Sequence, residues 1–249
     1  PHTGVATKLH ARAVALRYAD QSPHVLISID TIGLPGDFSR KISDQLASEY
    51  QLQREQIVLC ATHTHCGPDL VSELSNIFAV PLSEMEHANA LAYRQRLGQS
   101  ITQVVGTALE SMQPMRLEYR VGQASFAANR RVLRDGRWAG FGVQADGPTD
   151  HSVPILSFRN MTGELKGVVF NYACHCTTLD GNYYQVHADW AGIAAEALEE
   201  ASPSCTALCT IGCGADANPE PRGLAEHAVM HGKNLAKKIQ NQLQLPGTV

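Results

Sequence analysis

Ile57-Val58-Leu59-Cys60-Ala61-Thr62-His63-Thr64-His65-Cys66-Gly67-Pro68 is the stretch on which the reading of this chain turns. Its first five residues form a short apolar run, the pattern of a buried strand. The run passes directly into polar residues, and Gly67-Pro68 closes the stretch as a loop. On an extended chain, side chains two apart share a face, so His63 and His65 should point into one cleft at the strand's end.

Upstream, 14–18 and 25–29 read as strands, the second a compact β-branched run ending at Asp30, and 37–49 reads as a helix. Downstream, Ser83 and Glu86 have the spacing of a capping box. Leu97, Ile101, Val104 and Ala108 then recur at helical spacing until Pro114 closes the pattern. Strands are expected at 117–121, 153–158, 168–173 and 207–211. Asp189 is placed to cap a helix running through Ala201. A final helix covers 224–243, with Leu224, Ala228, His231, Leu235 and Ile239 on one stripe. Residues 125–152, rich in Arg, Gly and Asp, read as a surface excursion and as the best candidate for a mobile functional loop. Strands and helices alternate, though not in clean βαβ units. The expected fold is α/β, a mixed β-sheet core flanked by helices.

Composition narrows the function classes. The 249 residues are 44% hydrophobic and 18% charged, enough to bury a sizeable core. The formal charge is −4 and no lysine or arginine run exceeds two residues, so nucleic acid is not an expected partner. No apolar stretch is long enough to span a bilayer. The first residue is Pro1 and no secretory leader is visible, the pattern of a processed product, a trimmed form or a fragment. Seven cysteines, an odd number without small-domain spacing, argue for buried free thiols over a disulfide framework. The compartment stays open between cytoplasm and export.

Five groups of residues could carry chemistry. Neutral imidazole is a common metal ligand, and a His-x-His pair supplies two donors, or a ligand and a catalytic partner. The same spacing also suits two hydrogen-bonded histidines beside a turn. His175 ends the apolar run at 168–173. If Cys174-His175-Cys176 is extended, both cysteines face away from His175 and are poor co-ligands for a metal held there. Residues 212–223 link a strand to a helix with glycines where the backbone must turn or come close to a ligand. They lack the Gly-x-Gly-x-x-Gly or Gly-Lys-Ser/Thr pattern of a nucleotide cradle. His227 and His231 sit four apart but without the glutamate of a zinc-protease helix, and His231 lies on the apolar stripe, which makes it a core histidine. Cys205, Cys209 and Cys213 suit one buried strand face better than a zinc knuckle.

Taken together, these segments resemble the neutral (non-lysosomal) ceramidase family. Thr62-His63-Thr64-His65-Cys66-Gly67-Pro68 is similar to that family's His-Thr-His-Ser-Gly-Pro motif, with Cys66 in place of the serine. Asn129-Arg130 resembles an Asn-Arg pair in a loop that reaches the active site. Asn171-Tyr172-Ala173-Cys174-His175 resembles the segment bearing the second metal histidine, and Asp189 also fits. Gly214 to Pro219 falls where the family carries Gly-Asp-Val-Ser-Pro-Asn. The resemblance implies a ceramidase-like catalytic domain over 1–249, the N-terminal part of such a protein, with the downstream half absent. It implies that His63 and His175 are Zn2+ ligands, that His65 lines the site against substrate or attacking water, and that Arg130 stabilises negative charge. Two departures stand out. Ala217 and Asn218 are the nearest residues to the family serine, so a covalent serine route is not available from this loop. The family's further ligands, a Glu and a Tyr, come from a downstream region. Two histidines are too few for a catalytic zinc site, which takes three protein donors plus water. Either a second segment or chain completes it, or Asp69, Asp189 or Asp216 substitutes, or the site is weak.

The expected activity is zinc-dependent amide hydrolysis of N-acylsphingosine or a related small-molecule or lipid amide, with zinc-activated water attacking the carbonyl. A catalytically lapsed metal-binding or scaffold module of the same fold is the alternative. A cysteine hydrolase built on Cys66 and His65 is a third reading, weakened because adjacent residues of an extended chain point apart.

Overall fold

The computed structural model describes residues 2–71 and 81–248. The short strand β1 (Gly4–Val5) is followed by β2 (Ala11–Leu16) and β3 (His24–Ile29), an antiparallel pair. Helix α1 (Gly36–Tyr50) carries the chain over to β4 (Ile57–Ala61), which lies parallel to β3, so this sheet runs β2-β3-β4. That crossover is what a parallel pair requires. Strand β4 is therefore an edge strand, and its Ile57 and Leu59 pack with residues of α1 and α2 (Glu84–Glu110) in a core that includes Ile27, Ile29, Leu46 and Ile101, while Val58 is exposed.

Helix α2 starts as its sequence dictates. The Ser83 hydroxyl accepts from the Glu86 backbone N–H, and the Glu86 carboxylate returns to the Ser83 backbone N–H at 2.8 Å. The buried stripe, however, runs Leu97, Ile101 and Val105, one residue away from the expected Val104. Gly98 and Gly106 on that side let α1 come close, which rotates the contact face.

The second half supplies β5 (Met115–Gln123), β6 (Ala127–Asn129), β7 (Arg131–Arg134), β8 (Arg137–Phe141), β9 (Ser152–Asn160) and β10 (Leu165–Tyr172). After these come β11 (Gln185–Val186), α3 (Asp189–Ala201), β12 (Thr206–Ile211), β13 (Ala217–Pro219) and α4 (Ala225–Leu243). The larger sheet has the order β12-β10-β9-β5, with β10 parallel to β12 and the other pairs antiparallel. Phe170, Tyr172, Trp190, Leu235 and Ile239 form its core against α3 and α4. The buried Ser28 hydroxyl on β3 donates to the Cys209 carbonyl on β12 at 2.5 Å, joining the two sheets. The architecture is the expected mixed α/β.

Three local expectations change. Residues 125–152 are not one loop: β6 pairs with β13, and β7 and β8 make an antiparallel hairpin. Asp189 does not cap α3, because Ala188 holds the N-cap position and the Asp189 carboxylate turns inward. Cys213 is exposed rather than packed, while Cys66, Cys174, Cys176, Cys205 and Cys209 are buried free thiols. No helix among the described residues is long and apolar enough to cross a membrane.

Candidate metal centre

Strands β4 and β10 both end at the same side of the molecule, and each gives way to a histidine. The chain after β4 is pinned by two backbone bonds, Thr62 N–H to the Ile29 carbonyl and His63 N–H to the Thr31 carbonyl, both 2.9 Å. His63 takes φ 64°, a left-handed conformation costly for a side chain with a Cβ. The extended geometry assumed from sequence is therefore broken at His63 itself. The two imidazoles nevertheless reach one place, with ring centroids 4.8 Å apart. His175 arrives from the end of β10, its ring 4.8 Å from that of His63 and 6.1 Å from that of His65.

Hydrogen bonds fix which nitrogens are free. His63 Nδ1 lies 2.6 Å from the Ile32 carbonyl and His175 Nδ1 lies 2.7 Å from the Gly214 carbonyl. A carbonyl only accepts, so each Nδ1 carries the proton and each Nε2 presents a lone pair. Two donors meet those lone pairs: His65 Nε2 stands 3.3 Å from His63 Nε2, and Arg130 Nη2 stands 3.3 Å from His175 Nε2. An Nδ1–H bound to a backbone carbonyl with Nε2 aimed at a shared space is the usual preparation of a metal-ligating histidine. Ligand atoms of His63, His65 and His175 lie within 4.8 Å of one another, and no carboxylate among the described residues joins them. The donor chemistry fits a divalent ion that accepts imidazole nitrogen.

Gly214 is placed by sequence for this purpose. A Cβ there would meet the Cys174 amide nitrogen and sit 2.6 Å from the Ala173 carbonyl carbon, so only glycine lets its carbonyl approach His175. Arg130 follows β6 and is anchored by the β13 segment. Its Nε donates to the Ala215 carbonyl at 3.1 Å and its Nη1 to Asn218 Oδ1 at 3.2 Å, while the guanidinium lies 4.8 Å from the Phe141 ring centre. Burial, and then the charges of His63, His175, Arg130 and Arg222, push His65 down to about 4. Burial first, partly offset by the Gly214 carbonyl, also lowers His175. Both rings are thereby kept neutral, the form that ligates.

The other expected residues fall elsewhere. Asp189 accepts from the Thr178 hydroxyl at 2.6 Å and from the backbone N–H groups of Leu179 and Trp190, so its carboxylate is committed inside the fold. The backbone carbonyl of Asp216 accepts from Arg130 N–H, and its side chain lies 3.5 Å from the Asn129 amide. His231 is a satisfied core histidine, bonded to the Pro221 carbonyl at 2.7 Å and stacked on Phe126. Cys66 is buried and its thiol is pushed up to about 12 by burial, then by Asp189 and Asp180, which denies it the thiolate that a nucleophile needs. Sequence reasoning missed Asn218 as the acceptor that orients Arg130. It also missed Trp190, whose indole N–H donates to the His175 carbonyl at 2.9 Å. A tryptophan at the start of an apolar helix carries no signal beyond core packing.

Fold and site together define the class: an α/β protein that gathers three imidazoles and a guanidinium at the ends of strands from two sheets. Within that class, the chain belongs to the neutral/alkaline non-lysosomal ceramidase family, whose N-terminal model matches residues 1–209. Two solved structures share the fold. One, neutral ceramidase from Pseudomonas aeruginosa, is 22% identical with a TM-score of 0.79 over 97% of this chain and 40% of its own. The other, a ceramidase complexed with C2, is 20% identical with a TM-score of 0.80 over 97% of this chain and 39% of its own. The chain thus spans about two fifths of the length of these relatives.

Proposed function

We propose that this chain supplies the two-histidine half of the metal centre of an amide hydrolase acting on N-acylsphingosine or a related N-acyl substrate. The single observation carrying this reading is the convergence of the Nε2 lone pairs of His63 and His175, each fixed by a backbone carbonyl on Nδ1. His63 and His175 would hold Zn2+, with further donors from another segment or chain. A bound zinc ion lowers the pKa of water toward neutrality and polarises a carbonyl.

The chain's own residues do the rest. His65 sits against His63, with Nε2 3.3 Å from His63 Nε2, where it would hydrogen-bond the substrate or the attacking water. Arg130 is held by Ala215 and Asn218 beside His175, where its charge favours an oxyanion developing on the scissile carbonyl. The family relationship supports the reaction class, and the buried, protonated Cys66 speaks against a thiol route.

His63→Ala in the intact protein tests this. Zinc content and release of fatty acid from an N-acylsphingosine should both be lost. Retention of either at the wild-type level overturns the assignment. Zinc binding by the wild-type protein without turnover would instead identify a metal-binding module that keeps the fold and has lost the reaction.

A further inference from the structure

The two histidine-bearing loops come from different sheets, yet one short segment is bonded to both. His187, Ala188, Asp189 and Trp190 lead into α3 and all four are buried. On one side, His187 N–H donates to the Cys66 carbonyl at 3.0 Å, and the His187 carbonyl accepts the Thr64 hydroxyl at 2.7 Å. Thr64 lies between His63 and His65 and is fully buried, with its own Oγ1 also accepting from the Cys66 N–H at 3.3 Å. On the other side, the Trp190 indole N–H holds the His175 carbonyl, and Asp189 holds Thr178 and Leu179 three and four residues beyond it. Within the segment, Asp189 N–H donates to His187 Nδ1 at 2.8 Å, and Asp189 sits at φ 53°. A residue kept in that conformation is over-determined by its surroundings.

We propose that His187–Trp190 is a crossbrace that sets the separation of the His63/His65 loop from His175, and that Thr64 and Trp190 are positioning residues for the divalent ion. The inference rests on the reading that His63 and His175 hold a metal. Thr64 touches no imidazole lone pair. It acts through the His187 carbonyl, to which its hydroxyl donates. Outer groups of this kind typically change metal affinity by about 10- to 100-fold when removed.

The test is Thr64→Val in the intact protein, which keeps the shape of the side chain and removes the hydroxyl. Zinc affinity, measured by competition with a chromophoric chelator, should fall about tenfold or more. Thr64→Ser should restore it. Ile239→Val, a core change on α4 that removes none of the crossbrace's hydrogen bonds, should lower thermal stability without moving zinc affinity. In the metal-free protein, the ring-proton nuclear Overhauser contact between His63 and His175 should weaken in Thr64→Val and persist in Thr64→Ser. Wild-type zinc affinity and an unchanged ring contact in Thr64→Val overturn the crossbrace, as does an equal loss of affinity in Ile239→Val. A wild-type protein that binds no zinc but loses the ring contact in Thr64→Val removes the metal reading and leaves the crossbrace standing.

Discussion

Gly214 shows how a single residue decides whether the histidine cluster can exist. Its carbonyl fixes the His175 tautomer, and the backbone of Ala173 and Cys174 leaves no room for a Cβ. Gly214→Ala must push that backbone away, a strain of about 1–3 kcal/mol in a packed setting. The expected result is a lower urea midpoint together with weaker zinc binding, since His175 loses the acceptor that orients it. Gly181→Ala, where an added methyl meets nothing within 4 Å, serves as the control and should change neither. Urea titration and chelator competition on the two variants check the prediction, and equal behaviour would show that the Gly214 carbonyl does not set the ligand.

Elements whose stability is local were legible in the sequence. The Ser83–Glu86 box marks the start of α2, and apolar runs mark β3, β4, β10 and β12, because capping and periodicity are properties of neighbouring residues. Ser83→Ala should cost about 1 kcal/mol, seen as a fall of roughly 2–4 °C in thermal midpoint, with the histidine site undisturbed. The β6–β13 pair could not be read in this way. It joins Asn129 to Ala217, and nothing in three-residue strands announces a partner so distant in the chain. The positive φ of His63 was equally hidden, since it follows from backbone bonds to Ile29 and Thr31 rather than from residue type. The candidate residues His63, His65, Arg130 and His175, which the structure brings together, were picked out through motif order along the chain. Their tautomers, and the role of Asn218 in holding Arg130, depend on loops meeting in space.

At the scale of the whole molecule, the two cores are joined by charge as well as by the Ser28–Cys209 bond. Arg12 on β2 is buried and makes a two-pronged contact with Glu199 on α3, at 2.8 and 3.0 Å, while its other amino group lies 3.5 Å from Asp30. Asp30 is buried, and it accepts the His10 N–H at 2.9 Å. Burial raises the Asp30 pKa, and the Arg12 charge opposes that rise. Removing the guanidinium by Arg12→Met leaves a buried carboxylate with no cation, a loss of about 3–5 kcal/mol where Asp30 is ionised. A folded-state pKa above the unfolded value gives stability that is complete below the unfolded value and is lost as pH rises through the folded one. The deficit of Arg12→Met relative to wild type should therefore be greatest at neutral pH and should shrink as pH falls toward the ordinary carboxylate range. Urea unfolding of both proteins in steps from pH 4 to 7 measures it, and a deficit constant across that interval would mean that Arg12 acts by packing alone. The residues from Asp30 to Ile32 lead directly to the carbonyl that holds His63 Nδ1, so a deficit of the expected form should bring weaker zinc binding with it.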